Sequence, residues 1–222
     1  MRPTLEVLDL GRRPYHEVLE RQRALRLARI DGSLPHDVLL LVEHDPVYTL
    51  GRGTRATSLP LPMETLQAQG AEVVEIERGG DVTWHGPGQL VGYPILHLSR
   101  HREDLHWYLR TLEQALIDAL GSLGIPADRV AGKTGVWTAG GKIASLGIHV
   151  KQWVTLHGFA LNVHPDLRWF DQIVPCGLQG VTMTSVAREL ANGRDNASIW
   201  AESRAATIAA FGESFSLTPR EG

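Results

Sequence analysis

The stretch GVWTAGGKIASLGIHVKQWVTLHGFALNV, residues 135–163, decides the fold class. Gly135-Val136-Trp137, Ile143 to Val150 and Val154 to Val163 read as successive strands, apolar and separated by glycines, and Ala139-Gly140-Gly141 predicts a hairpin turn. Before them, Glu103 to Leu123 predicts a helix with Leu105, Leu109, Leu112, Leu116 and Leu120 on one face, ended by Gly124 and Pro126. Further out lie a strand over Leu5 to Leu10, a helix from Tyr15 to Ile30 stopping at Gly32, and strands at Val38 to Val42, Ala71 to Glu77 and Leu90 to Leu98. A last helix covers Ile199 to Phe211, with Asn196 near its start. Strands and helices do not alternate regularly. The expectation is therefore an α/β chain of the α+β type, a mixed, largely antiparallel sheet with flanking helices, rather than a Rossmann arrangement. No repeat or low-complexity linker divides the chain, so residues 1–222 are expected to form a single domain.

Composition narrows the function. A hydrophobic fraction of 43% and a charged fraction of 21% suit an ordinary globular protein. A net charge of -3 argues against a dominant nucleic-acid-binding role, and arginines such as Arg12, Arg13, Arg52 and Arg55 read singly as solvated surface. No apolar run has the length of a membrane span, and the first residues lack a signal-peptide core. With one cysteine there is no disulfide framework, and a cytoplasmic protein is expected.

Three segments carry candidate chemistry. Cys176 lies in Val174-Pro175-Cys176-Gly177, where proline favours an extended approach and glycine permits a tight turn. A lone thiol is more often a small buried hydrophobe than a nucleophile, and only its setting argues otherwise. Lys142 starts an apolar strand among glycines; its ammonium would favour a nearby thiolate, and its neutral amine could accept a proton. An exposed turn lysine has the same local signature. Arg78-Gly79-Gly80-Asp81-Val82-Thr83-Trp84-His85-Gly86-Pro87-Gly88-Gln89 is shaped for close backbone contact, with Arg78, Trp84 and His85 offering charge, an aromatic wall and a polar group. It is not a dinucleotide fingerprint, since Gly92 comes one residue late. Ala127 to Thr134 mimics a phosphate loop, but Pro126 precedes it and a strand follows it, so it is rejected as an ATP site. The ten histidines show no compact metal-ligand spacing; His149 and His157 flank a hairpin, where satisfied polar contacts are the plainer role.

Taken together, His44 to Arg52, Arg78 to Gln89, Gly135 to Trp137, Gly141 to Gly147, Gly158 to Val163 and Pro175-Cys176-Gly177 resemble the lipoyl(octanoyl) transferase family over roughly Val38 to Val186. The resemblance implies the fold of the biotin/lipoate protein ligase superfamily. It further implies octanoyl transfer from acyl carrier protein to a lysine of lipoyl domains, in 2-oxoacid dehydrogenase complexes and the glycine cleavage H protein, without cofactor or metal. The family's nucleophile falls on Cys176 and its pKa-lowering lysine on Lys142. Its substrate-binding positions fall on Arg78, Gly79, Gly80, Asp81, Val82, Thr83, Trp84, His85, Ser145, Leu146, Gly147, Gly158, Phe159 and Ala160. Trp84 stands where tyrosine or phenylalanine is common, and Met183-Thr184-Ser185-Val186 varies a usual Val-Thr-Ser-Leu.

A thioester donor makes such chemistry self-sufficient: thiol exchange is near isoenergetic and amide formation is downhill, so no nucleotide is required. The alternatives are an ATP-dependent lipoate or biotin ligase, which needs no reactive cysteine, and a noncatalytic acyl-binding module. A cysteine hydrolase would release free octanoate, but no cysteine-histidine pair can be assigned from spacing.

Overall fold

Glycine stops the first helix where the sequence predicts. The computed structural model describes residues 2–174, 181–191 and 193–222. In it β1 (Thr4–Arg13) leads through Pro14 into α1 (Tyr15–Asp31), and Gly32 caps the helix in the left-handed region at φ 84°. Helix α1 is rich in charge, yet Tyr15, Val18, Leu19, Gln22 and Arg29 fall at helical spacing and are its buried residues. After it come β2 (Asp37–His44), the short β3 (Val47–Leu50), α2 (Met63–Ala68), β4 (Glu72–Glu75), β5 (Thr83–His85) and β6 (Gln89–Ile95). Helix α3 (Leu105–Ser122) is followed by β7 (Asp128–Val130), β8 (Lys133–Thr138), β9 (Gly141–Lys151) and β10 (Val154–Asn162). Helices α4 (Val186–Leu190) and α5 (Asn196–Ser214) and the strand β11 (Thr218–Glu221) complete the chain.

The main sheet has the order β11-β1-β2-β6-β10-β9-β8-β7. Its β1 neighbours are parallel and the pairings from β2 through β7 are antiparallel, so the sheet is mixed and largely antiparallel. Strands β6 and β10 are buried along their whole length, as central strands covered on both faces are, and their polar members Gln89, Thr155, His157 and Asn162 are buried with them. Helices α3 and α5 cover one face, with Leu112, Leu116, Leu120 and Phe211 packed against Leu39, Ile143 and Leu161. Helix α1 covers the other, packing Tyr15, Val18 and Leu19 on Leu40, Val91, Tyr93 and Ala160. A small sheet, β4-β3-β5, forms a third layer with Trp84, Phe170 and Leu66 in its core.

One detail differs from the sequence expectation, and one rejection is borne out. Leu105 is 47% exposed, because Asp104 caps α3 by accepting from Trp107 N and Leu105 is the helix's first residue; Tyr108 and Glu113 take buried places on that helix instead. Residues 127–134 form the β7–β8 hairpin, with Gly132 at φ 74° in its turn, so no helix N-terminus exists there to receive phosphate.

Candidate active site

A narrow cleft, about 540 Å³ with its open mouth included, lies against the β9–β10 pair. Its floor is where Gly147 pairs with Gly158 and Ser145 with Ala160. The segment carrying Arg78 and Gly80 roofs it, held down by a hydrogen bond from Gly79 N to Ile148 O at 2.9 Å. A Cβ on residue 147 would lie 2.9 Å from Arg78 Cδ and 3.0 Å from Gly79 O, so glycine there permits the close approach of roof to floor. Walls come from Val82, Val91, Leu146 and Ala160, with Tyr15, Tyr93, His85 and His157 as polar or aromatic neighbours.

The polar side chains of the roof are fastened before any ligand arrives. Arg78, 7% exposed, donates through Nη2 to Thr49 O at 2.6 Å and to Thr49 Oγ1 at 2.9 Å. Asp81 accepts from Ser58 Oγ and from Val82 N, both at 2.7 Å. Gln89 Nε2 donates to Asn162 Oδ1 at 2.9 Å, which leaves its Oε1 to accept from His85 Nδ1 at 2.7 Å. His44 Nδ1 lies 3.0 Å from the Arg13 carbonyl, which can only accept, so this ring is the Nδ1-H tautomer. Its Nε2 then accepts from Tyr93 OH at 2.8 Å.

Burial keeps these rings neutral. Desolvation pushes His44 down to about 4, and desolvation together with the neighbouring His44 pushes His85 down to about 3. Desolvation lowers His157 to about 3 as well, although Glu77 opposes it. Burial raises the Tyr15 and Tyr93 hydroxyls above their ordinary value. His157 is 1% exposed and has φ 59°, and among the described residues neither of its ring nitrogens has a hydrogen-bond partner.

Lys142 sits at the head of β9, 3% exposed, at one end of the cleft. Its N donates to Thr182 O at 2.9 Å and its O accepts from Thr184 N at 3.0 Å, so residues 182–184 run beside it as a parallel bridge. Lys142 Nζ stands 5.6 Å from the Trp137 ring centroid. Pro175, Cys176 and Gly177 lie outside the described residues. The described neighbours on either side are both tied to the site. Val174 N donates to Ser58 O at 3.0 Å, Ser58 being the residue whose hydroxyl bonds Asp81, and Thr182 holds Lys142.

The structure thus brings Arg78, Gly80, Asp81, Val82, Thr83, His85, Lys142, Ser145, Leu146, Gly147, Gly158, Phe159 and Ala160 to one cleft. Trp84 is elsewhere: alternation along β5 turns its ring into the small sheet's core, stacked on Trp169 at 5.8 Å and 8°. Tyr15, Val91, Tyr93 and His157 line the cleft without having been singled out as binding residues. For Tyr15 the only local signal was an aromatic residue directly after Pro14 at a helix start. His149 pairs with Leu156 and its Nδ1 lies 3.2 Å from Arg26 Nη1. Among the described residues, no group of three or more His, Cys, Asp or Glu side chains is arranged to hold a metal ion.

The lipoyl protein ligase A/B catalytic domain family matches residues 14–211. The chain is 51% identical over 207 residues to an octanoyltransferase of Geobacter sulfurreducens, covering 93% of this chain and 83% of that one. It is 55% identical over 172 residues to an octanoyltransferase of Gloeobacter violaceus, covering 78% and 75%. In fold it resembles a putative lipoate protein ligase from T. acidophilum, with TM-score 0.74, 20% identity, and coverage of 100% of this chain and 88% of that one.

Proposed function

The chain belongs to the lipoyl protein ligase A/B catalytic domain family and is an acyltransferase, and from that premise we propose that it passes an octanoyl group through a Cys176 thioester to a lysine of lipoyl domains. Acyl carrier protein is the donor, and lipoyl domains of 2-oxoacid dehydrogenase complexes and the glycine cleavage H protein are the acceptors. Residues 1–222 act as a single catalytic domain. Among the described residues no helix is long and apolar enough to cross a membrane, and we place the protein in the cytoplasm.

The observation that carries the reading is an apolar-walled cleft with the buried Lys142 at one end, flanked by the residues that lead into and out of the segment of Cys176. An ammonium there favours the thiolate. The Cys176 thiolate attacks the thioester carbonyl and a C–S bond forms as the carrier's thiolate departs, taking a proton from the Lys142 ammonium. The acceptor lysine arrives as a neutral amine and attacks the acyl-cysteine. The proton released as the amide forms passes to Lys142, which restores the ammonium-thiolate pair. Burying about six methylenes at ~0.8 kcal/mol each supplies roughly 5 kcal/mol, which favours eight carbons over four.

The test is intact-protein mass spectrometry after mixing with octanoyl-acyl carrier protein and no ATP. A hydroxylamine-labile adduct that transfers to a lipoyl domain, and that Cys176→Ala does not form, is the expected result. Transfer that requires ATP and free acid would instead make the chain a ligase.

A further inference from the structure

We infer that Glu113 and Gly135 together form the seat of the Lys142 ammonium, which makes Glu113 a positioning residue for acyl transfer. The inference rests on the reading of Lys142 given above.

Glu113 projects from α3 and is wholly buried, at 0% exposure. A buried carboxylate is costly unless both oxygens are engaged. Here Oε2 accepts from Arg110 Nη1 at 2.7 Å and from Arg129 Nε at 3.1 Å. Arg129 is itself held by Arg110 O and Gln114 Oε1, both at 2.9 Å. The other oxygen, Oε1, reaches a single backbone group in β8, accepting from Gly135 N at 3.0 Å.

That backbone group lies beneath Lys142. The β8–β9 pairing shifts register between Val136 and Trp137, so the ladder is irregular just beyond Gly135. Gly135 adopts φ 131°, in the region open to glycine. A Cβ there would lie 2.6 Å from Lys142 Cε, 2.7 Å from Ala144 O and 3.3 Å from Lys142 Nζ. Trp137, across from Lys142 in the ladder, supplies its ring face to the same ammonium. The lysine side chain therefore lies back along β8, over backbone that Glu113 holds at that height. Other charged groups around it are Lys133, 5.3 Å from the same Trp137 ring, Glu189, which accepts from Thr184 Oγ1 at 2.6 Å, and Arg78 and Asp81 in the cleft. Glu113→Leu also unpairs Arg110 and Arg129, whose freed positive charge favours a thiolate and so works against a rise in its midpoint, whereas Gly135→Ala leaves both ion pairs in place.

Cys176 is the sole cysteine, so the pH dependence of iodoacetamide alkylation of the full chain reads its thiolate directly. Lys142→Ala should raise the midpoint. Glu113→Leu and Gly135→Ala should each raise it by at least half as many pH units. Because both act through the lysine, the doubles E113L/K142A and G135A/K142A should alkylate with the K142A midpoint. A role limited to stability would lower the unfolding temperature of E113L and G135A but leave their midpoints at the wild-type value, and that result, with K142A shifted, overturns the inference. Doubles that shift by the sum of the singles overturn it too. An unshifted K142A instead overturns the reading of Lys142 itself. Should E113L fail to fold, by circular dichroism, G135A and its double carry the same comparison.

Discussion

Ala160 offers a direct test of where the acyl chain lies. It pairs with Ser145, three residues along β9 from Lys142, which places it roughly 10 Å from the lysine at ~3.4 Å per residue. It is 2% exposed and shares a wall of the cleft with Val91 and Tyr93 on the α1 face of the sheet. Ala160→Leu would add about three carbons there and displace about three methylenes of an octanoyl chain, a loss of ~2.4 kcal/mol at ~0.8 kcal/mol each. At 1.4 kcal/mol per tenfold, that is about a 50-fold fall in kcat/KM for octanoyl loading. A butanoyl chain ends short of this position and keeps most of its rate. The assay is the rate of adduct formation, by intact mass, with octanoyl- and butanoyl-acyl carrier protein. The octanoyl-to-butanoyl ratio should fall by about the same factor. An unchanged ratio in a folded variant, or an equal loss for both chains, would refute this placement; Ala160→Val, which overpacks less, guards against simple core strain.

Two further outcomes concern stability. Arg29 and Asp37 are a buried pair at 2.7 Å, 2% and 4% exposed; burial pushes the Asp37 carboxyl up, but His101 and Arg29 hold it below its ordinary value. Arg29→Leu should cost ~3–5 kcal/mol in urea unfolding by leaving that carboxylate without its cation, and a cost under about 1 kcal/mol would contradict the argument. Because Asp37 is depressed in the folded state, its contribution is present above the unfolded value and is lost as pH falls through the folded one. His44, His85 and His157 are also depressed, to about 4, 3 and 3. The unfolded chain therefore binds more protons below about pH 6.5, and stability falls as pH drops toward 4. His157→Gln should reduce that slope by up to ~1.36 kcal/mol per pH unit, measured by urea unfolding between pH 4.5 and 7; an identical slope would show that His157 is not held neutral.

Local chemistry in the sequence determined the three long helices α1, α3 and α5, the central strands and most of the segments that meet at the cleft, but not the short helices α2 and α4. Gly32 and Gly124 mark helix ends, α3 shows a leucine face, and the β8–β10 region carries its own turns. These are one-dimensional signals with a physical cause in propensity, periodicity and turn geometry. The segments of Arg78 and Lys142 were legible for the same reason, since closely spaced glycines mark backbone that something approaches, while that of Gly158 was given only by the family resemblance. The short strands β3, β7 and β11 left no alternation to read, and Pro219 stands within β11. The parallel pairing of β11 with β1 joins opposite ends of the chain, and no local pattern encodes a partner so distant. Only the tertiary structure turned Trp84 into a core and His85 into the cleft, because alternation on β5 separates neighbours by face. It likewise brought Tyr15 from α1, Tyr93 from β6 and Lys142 from β9 to one cavity, and set Glu113 of α3 against Gly135. Sequence determines what each segment can become; which side chains meet is decided by the packing of faces that lie far apart along the chain.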